Sequence, residues 1–283
     1  MKPAVPWWMK IAAKVALSRL PIPYRLWNRF GLFKHGNMNR PEYSTGVFLS
    51  HFGMAGFDGR SGYACLELGP GDSLFSAMIA RASGATRCWL IDNGDFAQRD
   101  MAIYRSMAQH LEQLGLIAPS SSALVSVDTL LAHCNATYLT NGVKSLSSVP
   151  DSSVDLIWSH AVLEHIRRRD FDTLLREMRR ILRQGGVCSH TVDLQDHLGG
   201  ALNNLRFPEW LWEANWFARS GFYTNRIGYS EMLARFKTAG FAADLRGRHD
   251  FPAVPTPRAK LARPFRNWPN DELRVAGFSV ILR

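Results

Sequence analysis

The sequence predicts an α/β fold in which a mostly parallel β-sheet is covered by helices on both faces. From residue 63 onward, short apolar segments alternate with segments of helix length, which is the pattern of repeated β–α–β units. The first apolar segment runs into a turn containing Gly69 and Gly71, and a helical pattern follows. With 283 residues, 46% of them hydrophobic, the chain is long enough for one large domain with appendages.

Seven apolar segments are predicted to be strands, and three longer segments are predicted to be helices. The strands are Ala64–Leu68, Arg87–Asp92, Thr137–Leu139, Val154–Trp158, Val187–Val192, Phe241–Leu245 and Val275–Leu282. The helices are Ser73–Ala82, Ala97–Leu114 and Ala161–Leu182. We expect Gly185 and Gly186 to stop the third helix, and Ser230 to cap a short helix before the last two strands.

Residues 1–60 predict an N-terminal helical arm that is both basic and aromatic. The segment Pro21–Pro23 interrupts it, because two fixed φ angles and two missing N–H donors forbid a continuous helix. Residues 1–45 hold eight basic side chains against Glu42 alone, so this segment carries +7 of the net charge of +10. Three interpretations stay open: packing onto the domain, contact with an anionic membrane surface, and recognition of an acidic acceptor.

The rest of the chain is nearly balanced in charge, which argues against a protein that binds nucleic acid over its whole surface. The apolar run 11–17 is interrupted by Lys14, and no small-residue cleavage site follows it. We therefore expect a cytoplasmic protein, with peripheral contact at the inner face of the membrane through residues 1–45 as the alternative. The four cysteines show no C-x-x-C spacing, which disfavours disulfides and a zinc site.

The turn after the first strand predicts a ligand-binding site. Gly69 and Gly71 allow a sharp bend and a close approach of the backbone to a ligand, beside the unpaired N–H groups of the next helix. The carboxylate of Glu67 would attract an ammonium group rather than a pyrophosphate. That acid, and Leu74 at the position of the third glycine in a dinucleotide-binding turn, disfavour a dinucleotide dehydrogenase.

Three later segments follow in a characteristic order. The second strand ends in Asp92, where an acid can bind ribose hydroxyls. The fourth strand, Val154–Ser159, runs into the segment 160–165. The segment 182–187 then leads into the fifth strand. In these motifs the chain resembles the class I S-adenosylmethionine (SAM)-dependent methyltransferases, specifically the bacterial small-molecule (UbiE/type 11-like) group. The resemblance covers residues 61–192 closely and 227–283 by element order.

The resemblance implies a Rossmann-like, seven-stranded sheet whose C-terminal hairpin is antiparallel, forming one domain over residues 61–283. Residues 193–228 would be a lid or substrate-binding insertion. SAM would be the cofactor and S-adenosylhomocysteine the product. The residues implied to hold SAM are Glu67, Gly69, Pro70, Gly71, Asp72, Ser73, Asp92, Asn93, Asn141, Gly142, Ser159 and His160.

Methylation of a hydroxyl needs a base as well as in-line positioning. By the same resemblance we expect His165, assisted by Asp193, to be the general base, with His160 and His197 as further catalytic candidates. The alternative is that His165 only fills a contact between helix and sheet. A divalent metal is not favoured, because His190 and Asp193 would point to opposite faces of one strand.

The aromatic segment 202–226 predicts a cover over the acceptor. Its candidate substrate residues are Trp210, Trp216, Tyr223, Asn225 and Arg226. The predicted reaction is O-methylation of a sugar, a polysaccharide precursor or a natural product, with a small or carrier-linked acceptor. The alternatives are a methyltransferase for an aromatic metabolite and a SAM-binding partner subunit without turnover. A nucleic-acid acceptor is disfavoured, because no Asn/Asp-Pro-Pro-aromatic segment follows the fourth strand. Ser-His-Ala-Val stands there instead, at 159–162.

Overall fold

A seven-stranded sheet forms the centre of the molecule in the computed structural model, which describes residues 6–17, 19 and 37–283. Its strands are β1 Tyr63–Leu68, β2 Ala85–Ile91, β3 Ala136–Leu139, β4 Val154–His160, β5 Leu182–Asp193, β6 Ala243–Asp250 and β7 Val275–Leu282. They lie in the order β3-β2-β1-β4-β5-β7-β6. β1 to β5 are parallel, and β7 inserts antiparallel between β5 and β6. The predicted Rossmann-like fold class, with its antiparallel C-terminal hairpin, is confirmed.

Helices cover both faces of this sheet. They are α1 Trp7–Leu17, α2 Pro41–Met54, α3 Phe75–Ala82, α4 Met101–Gln113, α5 Val127–His133, α6 Arg168–Ile181, α7 Glu209–Trp212, α8 Asn215–Ala218, α9 Tyr229–Thr238 and α10 Asn270–Leu273. Apolar residues of α2 to α5 share one buried cluster with one face of the sheet, and those of α6 and α9 share a second cluster with the other face. In α6, buried Phe171, Leu174, Leu175 and Met178 recur at helical spacing.

The N-terminal arm has two described helices with different partners. α2 packs on the sheet, where Phe48 meets Trp158 edge to face and Phe52 lies against Tyr63. α1 packs instead on the segment between β5 and α9, through buried Ile11. The predicted interruption at 21–23 lies outside the described residues. So do four of the arm's aromatic residues, Tyr24, Trp27, Phe30 and Phe33.

The third predicted helix begins and ends differently from the prediction. The expected start at Ala161 is wrong, because this residue has a left-handed φ of +53°, which a right-handed helix cannot contain. A short 3-10 turn, Leu163–His165, follows, and α6 starts only at Arg168. The helix ends before the glycines, at 181. Gly185 and Gly186 lie within β5, where an irregularity of register opposite β4 accommodates the positive φ of Gly185.

The cap predicted for α9 is also wrong. Gly228 occupies the N-cap position, while the backbone N–H and hydroxyl of Ser230 both donate to Glu272. α3 and α4 begin at residues 75 and 101, later than predicted, and the side chain of Asp100 caps α4. The sixth strand begins at 243 rather than 241. Phe241, just before it, is buried in the cluster that α6 and α9 share with the sheet.

Two irregular segments lie side by side beyond the ends of β5 and β6. We call residues 193–228 the lid segment; it contains a 3-10 turn, Asn203–Arg206, as well as α7 and α8. Residues 251–274 connect β6 to β7 and end in α10. Leu202 and Leu205 of the lid segment pack against Leu261 and Leu273 of this connection. Among the described helices, none is both long and apolar enough to cross a bilayer.

Candidate functional site

The glycine turn after β1 is hydrogen-bonded to the end of β2 and lies close to the loop after β4. Gly69 and Gly71 have φ angles of +71° and +68°. The N–H of Gly69 donates to the carbonyl of Ile91 at 2.7 Å, and that of Gly71 donates to Asp92 Oδ2 at 2.9 Å. A Cβ on Gly69 would lie 2.5 Å from Cγ2 of Val162, in the loop after β4. The turn therefore needs glycine for its conformation and, at position 69, also for space.

Glu67 is a buried carboxyl group next to this turn. It is 1% exposed, and its Oε2 atom has no hydrogen-bond partner. Its pKa is raised to about 8: burial is the main cause, a hydrogen bond from Ser76 opposes the rise, and the charge of Asp92 adds to it. A buried carboxylate oxygen with unused hydrogen-bonding capacity, beside a glycine turn, fits the ammonium group of a ligand such as SAM.

The other residues of the predicted turn are buried and connect it to the arm. Pro70, Asp72 and Ser73 are all inaccessible to solvent. The hydroxyl of Ser73 donates to the carbonyl of Met38, just before α2. The N-terminal arm therefore contacts the candidate cofactor site directly.

The predicted ribose and adenine residues lie together at the ends of β2 and β3. Asp92 Oδ1 accepts the N–H of Asn93 at 2.7 Å, and the carbonyl of Asp92 accepts the N–H of Gly142 at 2.8 Å. A Cβ on Gly142 would lie 3.1 Å from Asn93 Oδ1, and Asn141 donates its N–H to Ser145. The structure thus brings all four predicted residues to one edge of the sheet, next to the glycine turn.

A chain of hydrogen-bonding side chains ends at His160, the last residue of β4. His160 Nδ1 lies 3.4 Å from His51 Nε2, and His51 Nδ1 lies 2.8 Å from Ser189 Oγ. The hydroxyl of Tyr43 lies 3.5 Å from His160 Nε2. Burial lowers the pKa of His51 to about 3, so this imidazole is neutral. Burial also lowers the pKa of His160, against the opposing charge of Asp193.

A second buried histidine lies beside this chain. Ser159 Oγ hydrogen-bonds His190 Nδ1 at 2.7 Å, and His190 Nε2 has no partner. Burial lowers the pKa of His190 to about 3. Ser159, predicted to close the cofactor pocket, is therefore engaged in the interior of the sheet.

His165 belongs to a different cluster, formed by the turn after β4 and the loop after β5. Its Nδ1 lies 2.7 Å from the carbonyl oxygen of Tyr223, and its ring stacks on His197 with the ring centroids 4.8 Å apart. Glu164, 1% exposed, places Oε1 4.0 Å from His165 Nε2. Burial raises the pKa of Glu164 well above its usual range, and the charge of Asp193 adds to the rise. The predicted action of Asp193 on His165 stays a prediction.

A cavity lies next to this cluster, between the lid segment and the connection 251–274. Its wall includes Glu164 and Asp193 from the sheet side, and Asn204, Thr224, Asn225, Arg226, Tyr229, Trp268 and Glu272 from the other elements. It therefore combines carboxylate, amide, hydroxyl and guanidinium groups with two aromatic side chains.

Of the five predicted substrate residues, two line this cavity, two are exposed, and one is buried outside the cavity wall. Trp210 and Trp216 are 76% and 48% exposed. Tyr223 is buried and donates its hydroxyl proton to Glu213. Asn225 and Arg226 line the cavity, and the Asn225 amide also donates to the carbonyls of residues 163 and 166. Asn225 thus holds the turn that contains Glu164 and His165.

Sequence reasoning missed the residues that reach the site from the arm and the C-terminal connection. His51 and Tyr43 lie on α2, and the only signal for His51 was a histidine at helical spacing among Ser44, Val47 and Phe48. Trp268 and Glu272 were missed because the proline-rich connection after β6 shows no periodic pattern.

Residues 66–189 match the model of a family described as "Methyltransferase domain". None of the curated proteins matches the chain. Similar solved structures include the YcgJ protein from Bacillus subtilis (15% identity, 85% of this chain and 97% of that chain, TM-score 0.44). Another is a putative sarcosine dimethylglycine methyltransferase from Galdieria sulphuraria (14% identity, 91% and 96%, TM-score 0.48).

The family assignment rests on the sequence match, which spans the glycine turn, Asp92 and the whole of α6. The class predicted from the motifs is confirmed by it. Residues 66–189 thus form a methyltransferase domain of the class I SAM-dependent kind.

Proposed function

We propose that the protein methylates a hydroxyl group of a sugar-like acceptor, free or carrier-linked, and that His160 accepts the hydroxyl proton. The observation that carries this proposal is the position of His160 at the carboxyl end of β4, with its ring held by His51 and Tyr43. In parallel α/β sheets the ligands bind at this edge. When bound, SAM supplies an electrophilic methyl group on a sulfonium.

The chain of contacts behind His160 determines which nitrogen can act as the base. We infer that His51 Nδ1 donates to Ser189, which leaves His51 Nε2 as an acceptor for the Nδ1–H of His160. His160 Nε2 then carries the lone pair. The Tyr43 hydroxyl lies 3.5 Å from this nitrogen and marks the position from which an acceptor hydroxyl would donate its proton to it.

Asp193 supports the choice of His160 over His165. Its negative charge raises the pKa of His160 and so favours the imidazolium form that proton transfer produces. The predicted base, His165, instead has Nδ1 fixed on the Tyr223 carbonyl and stacks on His197. We therefore propose a His–Asp pair, as the sequence predicts, with His160 in the place of His165.

The cavity lining supports a polyhydroxylated acceptor. Asn204 and Thr224 hydrogen-bond each other within its wall, and Tyr229 and Trp268 provide aromatic faces. Amide and hydroxyl groups next to aromatic rings suit the hydroxyl groups and the apolar faces of a sugar. An assay of S-adenosylhomocysteine formation against hexoses, nucleotide-linked hexoses and simple phenols tests this proposal. Turnover of phenols alone would refute the sugar-like acceptor.

His160→Gln is expected to lower kcat by about 100-fold or more, because general-base catalysis contributes this much, while leaving S-adenosylhomocysteine affinity nearly unchanged. Since burial lowers the pKa of His160, the wild-type enzyme should keep its activity as the pH falls to about 6.5 and lose it only below. The measurement is kcat against pH with an acceptor from the panel. His249→Gln, an exposed histidine on β6, is the control. Full turnover by His160→Gln would exclude His160 as the base.

Affinity for S-adenosylhomocysteine is expected to depend on the ionisation of Glu67. The pKa of this carboxyl group is about 8 in the free protein, and an ammonium ligand requires the carboxylate. Binding at lower pH must therefore release a proton, and affinity should fall by about tenfold for each pH unit below about 8. Calorimetric titrations across this range measure the slope. In Glu67→Gln the affinity should be lower and its dependence on pH lost; a wild-type affinity that is constant over the range would contradict the pairing.

A further inference from the structure

Glu164, His165 and His197 form a compact group of potential metal ligands. The carboxylate oxygen and the two imidazole nitrogens that they offer lie within 4.8 Å of one another. The first two residues belong to the 3-10 turn after β4, and the third follows β5. Two adjacent strands of the sheet thus position the group from separate parts of the chain.

The burial of Glu164 is the second, independent observation. This side chain is 1% exposed, and neither carboxylate oxygen has a partner at ordinary hydrogen-bond geometry. The backbone N–H groups of Glu164 itself and of Asp193 lie near enough to oppose the rise of its pKa, but they do not replace a full partner. Buried carboxylates are normally paired, hydrogen-bonded or bound to a metal. His165 Nε2 lies 4.0 Å from Oε1, too far for a hydrogen bond. Two ligands that are each about 2.1 Å from one tetrahedral ion lie about 3.4 Å apart, so a side-chain shift of about 0.6 Å would bring both onto the ion.

The surroundings hold both histidines in place. The Nδ1 of His165 contacts the Tyr223 carbonyl at 2.7 Å, the arrangement that directs the other ring nitrogen of a ligating histidine towards its metal. The loop that carries His197 is fixed by Asp196, whose carboxylate accepts the N–H groups of Leu198, Gly199 and Asn203.

We propose that Glu164, His165 and His197 bind a divalent first-row transition-metal ion such as Zn²⁺, Mn²⁺ or Co²⁺. Two imidazoles and one carboxylate suit these ions, whereas Mg²⁺ and Ca²⁺ prefer ligand sets made of oxygen atoms. Three protein ligands leave at least one coordination position for water or another oxygen ligand. Because Glu164 also lines the cavity, the ion would lie next to the space assigned to the acceptor.

Among the described residues of the cavity wall, Arg226 is the cationic side chain, and its guanidinium is engaged elsewhere. Arg226 donates to the carbonyl of Phe207, and its guanidinium lies 5.3 Å from the ring centroid of Trp212 and 5.1 Å from that of Phe265. Its charge thus lies against one aromatic ring of the lid segment and one of the connection 251–274.

Titration of the chelator-treated full-length protein with Co²⁺, followed by visible absorption and calorimetry, tests the site without methyl transfer. We expect one ion per chain and a spectrum that indicates nitrogen and oxygen ligands. Each of His165→Ala, His197→Ala and Glu164→Gln should weaken binding by about 100-fold or more. His249→Ala, which removes an exposed histidine distant in sequence, should leave it unchanged.

Binding of S-adenosylhomocysteine by the same variants shows whether they are folded, and His197→Ala is the safest of them because its side chain is exposed. Lack of Co²⁺ binding by the wild type, or equal affinity in the wild type and His197→Ala, would overturn the proposal. The result is independent of whether His160 is the base, since no step of the assay uses an acceptor.

Discussion

Replacing Gly69 with alanine is expected to weaken SAM binding by about 100-fold. The new Cβ would lie 2.5 Å from Val162 Cγ2 and 3.0 Å from Cγ1, and the residue would have to keep a φ of +71°. Left-handed strain costs about 1–2 kcal/mol and overpacking about 1–3 kcal/mol. Relief of both would displace the turn that carries Gly71 and follows Glu67. Calorimetric titration with S-adenosylhomocysteine measures the loss, at 1.4 kcal/mol for each factor of ten.

The chain offers a control that separates strain from the steric clash. Gly115 has nearly the same φ, +72°, but an added Cβ there would meet nothing within 4 Å. Gly115→Ala should therefore lower stability by about 1–2 kcal/mol and leave S-adenosylhomocysteine affinity unchanged. Adding Val162→Ala to Gly69→Ala should restore part of the affinity. If the affinities of Gly69→Ala and the wild type were the same, the close approach to Val162 would not matter for binding.

Trp212→Ala is expected to destabilise the lid segment by about 3–5 kcal/mol, the usual cost of removing a large buried aromatic side chain. Trp212 is fully buried, its Nε1 donates to the carbonyl of Thr224 at 2.6 Å, and its ring stacks on Phe207. Hydrogen exchange should show faster exchange of the amides of residues 198–228 than in the wild type.

Trp210, two residues away, is the matched control because its side chain is 76% exposed. Trp210→Ala should change stability by no more than about 0.5 kcal/mol and should leave the exchange of the lid segment unchanged. Equal protection in the two variants would mean that the aromatic cluster around Trp212 does not stabilise the lid segment.

The sheet could be predicted because its information is local. The strands of the central part contain short apolar runs, and each turn at the predicted cofactor site directly follows its strand, as at Glu67–Gly71 and at Asp92. The exception is β6, whose polar and exposed residues gave a prediction that overlaps it only at 243–245. The start of α6 could not be predicted in this way. Leu163 and Ile166 continue the helical spacing of apolar residues. They face the core, but the backbone that carries them is a turn and loop after the left-handed Ala161, not a helix. Periodicity reports which side chains are buried, not whether the backbone between them is helical.

The site was predictable only where its residues follow the strands. His51 lies 109 residues from His160 in sequence and reaches it because α2 packs across β4 and β5. Nothing in the segment 41–54 specifies that contact. The same holds for the wall formed by Trp268 and Glu272, since its position depends on the packing of Leu261 and Leu273 against the lid segment.

The contact between α1 and the lid segment couples the basic arm to the lid segment. Lys10 and Lys14 donate to the carbonyls of Leu198 and Gly221, at 2.7 and 2.9 Å. Two ammonium groups of the basic arm are thus already bound to backbone dipoles of the lid segment. An anionic surface or ligand that attracted them would compete with these carbonyls, and by linkage an open lid would strengthen that attraction equally. Binding of the arm to an anion would therefore weaken the contact between α1 and the lid segment.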